Sequence, residues 1–268
     1  MMPEVVISDT NYSKFLQPLL PDGSLARHGL IPRDYDTHPL GCYSFAKPFD
    51  LPLVPESEWQ ARLDARIAAK AHLSDVRNTG MYGGVIPSRD QNGKGYCWAH
   101  SSTSAMLIVR ALMNEPYADL SAFMVACLIK NYQDEGGWGA ESLEFIASKG
   151  ICTSQFWPQQ SMSRSNDNAA MHANAMMHRY TDWRDLDPNN MKAQLVTCLL
   201  MGIPVVTDYN WWSHSVCTID LVSLSPFRTR IWNSWGDSWS ENGTGLLEGS
   251  KAIPDGALAA MVGTASLL

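Results

Sequence analysis

The chain has 268 residues, 45% of them hydrophobic and 18% charged, a balance that supplies a sizeable core and excludes disorder as the main state. Twenty Lys and Arg against 27 Asp and Glu leave a formal net charge of −7, so no basic excess is present to follow a phosphate backbone or an anionic bilayer. Nucleic acid and membrane are therefore not expected partners. No apolar stretch is long enough to cross roughly 30 Å of hydrocarbon, and the opening Met-Met-Pro-Glu-Val-Val lacks the basic and apolar regions of a secretion signal.

In chain order, eight of the fifteen prolines fall within the first 55 residues, a density that interrupts helices and sheet ladders and predicts an extended arm. The spacing of Ser57 and Gln60 predicts a capping box, opening a helix to about residue 72 with Trp59, Leu63 and Ile67 on its apolar stripe. Gly80, Gly83, Gly84 and Pro87 predict an irregular lead-in from Asp75 to Gln91. Helices are expected at about 97–113, at 121–131 with Ser121 as cap, and at 140–149 closed by Gly150. After a polar loop and a mixed segment to 202, short β-type runs occur at 203–207, 215–222, 228–232 and 245–247. The expected fold class is α+β, with residues 1–74 as arm and helix. Residues 75–268 form the main domain, divided into an α lobe (about 91–155) and an antiparallel β lobe (about 175–265).

Six scattered cysteines form no C-x-x-C pair and no zinc-type spacing, which predicts buried free thiols and no metal site. Cys97 stands apart. The Gly-rich turn Gln91-Asn-Gly-Lys-Gly-Tyr delivers it to the first turn of a helix, where the dipole favours thiolate. Taken alone, a cysteine before an apolar helix is more often a small buried hydrophobe; its flanks change that reading.

The segment ending Cys97-Trp98-Ala99 resembles the nucleophile region of papain-like cysteine peptidases. Four further segments resemble the same family in the same order. They are Leu120-Ser121, Asp134-Glu-Gly136-Gly137-Trp138, Asn210-Trp-Trp-Ser-His214, and Trp232-Asn233-Ser-Trp235-Gly236 with its tail to Gly243. The resemblance covers roughly residues 75–265 and implies a two-lobed papain-like fold hydrolysing peptide bonds without a cofactor. It implies Cys97 as nucleophile, His214 as its acid/base partner, Asn233 as the group that fixes the imidazole, and Gln91 as an oxyanion donor. Gly136, Gly137, Trp138, Trp212 and Trp235 are the implied substrate-binding residues, with Trp235 covering the His214–Asn233 bond and Trp211 or Trp212 lining the cleft. His100, three residues after Cys97, reads as a core histidine; His72, His172 and His178 read as surface residues.

The departures matter too. Where the family commonly carries two disulfide-forming cysteines, Lys94 and Asp134 stand, and an ion pair or water-bridged pair is expected instead. The loop before His214 is short, and the usual inhibitory helix motif is not recognisable in residues 1–74. The arm is therefore expected to run along the outside of the domain or to reach a partner assembly. An alternative reading is a virion-associated or other interaction protein on the same fold; another Cys-His acyl transfer is a third. The expected location is cytoplasmic or virion-associated.

Overall fold

The computed structural model describes residues 4–17, 23, 25, 27–83 and 85–261. In chain order it contains β1 (Val6–Ile7), β2 (Ala46–Pro48), α1 (Trp59–Ala68), α2 (Leu73–Gly83), α3 (Cys97–Leu112), α4 (Ala122–Ile129), α5 (Gly139–Lys149) and α6 (Ala169–Ala175). These are followed by β3 (Asp182–Asp185), α7 (Met191–Met201), β4 (Val205–Tyr209), β5 (His214–Leu224), β6 (Phe227–Trp232), β7 (Thr244–Glu248) and β8 (Gly256–Met261). One sheet of order β1-β7-β6-β5-β4-β8-β3-β2 is antiparallel through its centre. Its two outermost pairings, β1 with β7 and β2 with β3, are parallel.

The α+β architecture is as expected, with α3 at its centre. Fifteen of its sixteen residues are buried, because it packs on α4 and α5 on one side and on β5 on the other. One core gathers Trp98, Phe123, Leu143 and Trp157 around α3; a second gathers Trp59, Leu195, Tyr209 and Trp235 behind the sheet. The cleft lies where the start of α3 meets β5.

Several local expectations are corrected. The capping box does not form: no side chain caps α1, and Gln60 instead donates to Asp64 one turn on. Ile67 is half exposed, so the stripe reduces to Trp59 and Leu63. Residues 75–83, expected to be irregular, lie in α2, which packs against α3 and β5. Ser121 precedes α4, but its buried hydroxyl makes no cap bond. Strands β3 and β8 and helix α7 were not foreseen. His178 is buried against Arg110 at 2.8 Å, not on the surface. His72 is half buried, while His172 is exposed and pairs with Asp167.

The described residues of the arm do not stand apart. Val6 and Ile7 pair with Leu246 and Leu247, and Ala46–Pro48 pair with Trp183–Asp185. Between these two strands the arm crosses the cleft.

Candidate active site

Cys97 opens α3 after a turn in which Asn92 and Gly93 hold positive φ, 48° and 66°, as a tight reversal requires. The thiol is fully buried, and the backbone N–H groups of Ser215, Trp98 and Gly29 face it. His214 is the first residue of β5. Its Nε2 donates to Asn233 Oδ1 at 2.7 Å, and the same oxygen accepts the Ser234 N–H at 2.8 Å. Among the described residues, His214 Nδ1 has no hydrogen-bond partner. Trp235 lies over the imidazole with ring centroids 4.7 Å apart, and Trp212 meets it edge-on at 4.8 Å. This aromatic jacket excludes water from the His214–Asn233 bond. Trp211 stacks on Trp212 at 5.3 Å, and both line an adjoining groove of about 620 Å³.

Gln91 is buried and held from three directions: its N–H donates to Ser234 O, its Oε1 accepts from Ser234 Oγ at 2.6 Å, and its Nε2 donates to Lys94 O. Ser234, which sequence reasoning missed, thereby fixes which end of the amide faces the cleft. The free face of Nε2 is taken by the Arg27 carbonyl at 2.9 Å.

That contact belongs to a larger one. Residues 27–31 thread the cleft and touch each predicted wall. The His28 ring packs against His214 (5.2 Å), Trp235 (5.7 Å) and Trp212 (6.4 Å). Gly29 and Leu30 donate to Ser213 O, Gly137 donates to Gly29 O at 2.9 Å, and Ile31 donates to Gly137 O at 2.8 Å. Leu30 and Gly137 thus form a parallel bridge. The fit admits nothing larger than glycine: a Cβ at Gly29 would lie 2.2 Å from Gly95 O, one at Gly136 would lie 2.7 Å from Gly29 O, and one at Gly137 would meet the Trp98 ring. The expectation that the arm runs along the outside is corrected here. Backbone pairing to a partner 107 residues away carries no local sequence signal, and neither Arg27 nor His28 was singled out.

Occlusion sets the electrostatics. Burial pushes the Cys97 thiol up to about 12 and drives the His214 imidazole well below its ordinary value, with the nearby His28 ring adding to the effect. The thiolate that the helix N-terminus favours is therefore suppressed while water is excluded. His100 is the core histidine expected, 1% exposed with both nitrogens unpartnered; burial lowers it to about 3.

The family model for the papain family cysteine proteases matches residues 71–253, and the chain belongs to that family. It is a papain-like cysteine peptidase, and its substrates are accordingly peptides or proteins. Zingipain-1 from Zingiber officinale is 23% identical over 182 residues, covering 60% of this chain and 81% of its own. Cathepsin K from Mus musculus is 25% identical over 221 residues, covering 72% and 62%. Among solved structures, xylellain, a cysteine protease from Xylella fastidiosa, superposes with TM-score 0.62 at 16% identity, covering 88% of this chain and 97% of its own. Digestive procathepsin L2 from Tenebrio molitor larval midgut gives TM-score 0.59 at 19% identity, covering 88% and 78%. No helix among the described residues is long and apolar enough to cross a membrane.

Proposed function

We propose that the chain hydrolyses peptide bonds through Cys97, His214 and Asn233 with Gln91 as oxyanion donor, and that residues 27–31 hold it latent until they leave the cleft. The observation that carries this reading is the 2.7 Å bond from His214 Nε2 to Asn233 Oδ1. It fixes the ring and leaves Nδ1 free for the thiol. With the arm displaced, water re-enters and the desolvation that suppresses thiolate and imidazolium is relieved. The Cys97 proton passes to His214 Nδ1 and the sulfur attacks the scissile carbonyl carbon. The oxyanion takes the Gln91 Nε2–H, replacing Arg27 O, together with the Cys97 backbone N–H. His214 then returns the proton to the departing amine, and a water deprotonated by the same imidazole releases the acyl group from sulfur.

Gly136, Gly137 and Trp138 would hold the substrate backbone that Leu30 and Ile31 now mimic. The face of Trp212, with Trp235 behind it, would favour apolar or aromatic side chains beside the scissile bond. The other reading, an arm that docks on an assembly, draws no support from residues 27–31, whose backbone groups engage the chain's own cleft.

Hydrolysis of a denatured protein by the full chain, lost in Cys97→Ala and reduced about 10²–10³-fold in kcat by Gln91→Ala, tests the reading. Undiminished hydrolysis by Cys97→Ala would overturn it.

A further inference from the structure

Past Gly137 the arm enters a second pocket. The Arg33 guanidinium donates from Nη1 and Nη2 to the two oxygens of Asp185, at 2.6 and 2.8 Å. It lies 4.9 Å from the centre of the Trp138 ring and 4.5 Å from that of Tyr35. The side chains of Arg33 and Asp185 are only 4% and 1% exposed. The carbonyls of His38 and Pro39 accept from Nε and Nη2, each at 2.8 Å. Asp185 on β3 and Trp138 at the start of α5 belong to the body of the domain; Arg33, Tyr35, His38 and Pro39 all belong to the arm.

A second buried carboxylate flanks this pocket. Asp208 on β4 is 5% exposed, and among the described residues its Oδ1 has no hydrogen-bond partner. It lies beside Gly139 and Gly256, where added Cβ atoms would meet it at 3.8 and 3.6 Å, and the Tyr35 hydroxyl caps the Gly256 side. Burial raises its carboxyl to about 6 against the opposing pull of Ser215, Gly139 and Arg33.

An aromatic face beside a buried carboxylate that can accept two parallel N–H bonds selects a planar guanidinium over an ammonium or an apolar group. A carboxylate as buried as Asp185 is costly to leave without its cation. When Arg33 departs with the arm, the pocket therefore calls for a replacement of the same chemistry. We propose that Asp185, Trp138 and Asp208 form a guanidinium subsite that takes an arginine side chain of the substrate beyond Gly137, and that Arg33 occupies it as an internal stand-in.

The proposal rests on the peptidase reading for the identity of its ligand, but guanidinium binding is measurable without hydrolysis. In the full chain carrying Arg33→Ala, Nα-acetylarginine amide should raise Tm clearly more than Nα-acetylnorleucine amide, and Asp185→Asn added to that chain should erase the difference. Arg33→Gln serves if Arg33→Ala folds poorly. In parallel, peptides with arginine at one position on the Gly137 side should be cleaved about tenfold faster in kcat/KM than norleucine counterparts, a ratio that Asp208→Asn and Asp185→Asn should each shrink. Equal Tm shifts from the two amides would overturn the subsite. Arginine-selective shifts in a chain that cleaves no peptide would uphold the subsite and overturn the peptidase reading instead.

Discussion

The Lys94 ammonium stands 3.6 Å from the Asp134 carboxylate, joining the nucleophile turn to the segment that carries Gly136 and Gly137. These are the two positions where the resembled family commonly carries a disulfide, and the ion pair expected in its place stands there. Asp134 does more than pair with Lys94. It accepts the Gly95 N–H at 2.8 Å and forms an ion pair with Arg27 of the arm, so one carboxylate links turn, strand and arm.

The three links have different strengths. Lys94, Arg27 and Asp134 have side chains 36%, 53% and 20% exposed, and such pairs contribute about 0–1 kcal/mol each. Asp134→Asn keeps an acceptor for Gly95 and should speed labelling of Cys97 by a thiol reagent about two- to fivefold through the weaker hold on Arg27. Raising salt should produce the same acceleration in the wild type and little in the variant. Asp134→Ala should also lower Tm, because the Gly95 N–H then loses its acceptor at a cost of about 1 kcal/mol.

Gly29 is the tightest point of the occluded cleft. A methyl there would lie 2.2 Å from a backbone oxygen of Gly95, and neither backbone can yield cheaply. Gly29→Ala should therefore disfavour the docked arm by about 1–3 kcal/mol while both cores stay intact. The expected result is Cys97 labelling accelerated at least about fivefold. An unchanged labelling rate in a folded variant would mean that the arm is not what shields the thiol.

Acid should also loosen the arm. Burial lowers the His28 and His214 imidazoles from their ordinary 6.5 in the docked state. Docking therefore favours the neutral rings and is unpenalised above about pH 6.5, then loses stability as pH falls below that value toward the depressed docked values. Hydrogen exchange of the Gly137 and Ile31 amides, which bond arm to cleft, should quicken between pH 7 and 5 relative to the intrinsic rate. In His28→Phe the remaining acceleration should be smaller.

The legible parts of this molecule are those where pattern and structure share a length scale. The glycine turn before Cys97, the start of β5 at His214 and the Asn233–Gly236 turn each declare themselves within a few residues, and the helices 97–113 and 140–149 match α3 and α5 to within a residue. Helix α7 escaped because its run Met191–Met201 is apolar on most faces, so no stripe marks its period. Strand β3 has only four residues, one of them a buried Arg, and β8 is a run of mostly small residues, Gly-Ala-Leu-Ala-Ala-Met, without alternation. The course of the arm was hidden for another reason. Leu30 with Gly137 and Arg33 with Asp185 are tertiary pairings, and proline content indicates that a segment is not a regular helix or central strand without indicating where it lies.

The central claim is that Cys97 is a nucleophile activated by His214 inside a cleft that residues 27–31 close. The most direct measurement is mapping, by mass spectrometry, of an epoxysuccinyl peptide label on the full chain carrying Gly29→Ala, with and without His214→Ala. The account predicts label on Cys97 and not on Cys42, Cys127, Cys152, Cys198 or Cys217, although Cys42 is the exposed thiol, and a loss of about 10²-fold or more when His214 is removed. Label distributed by exposure, with Cys42 modified first and His214→Ala without effect, would contradict it.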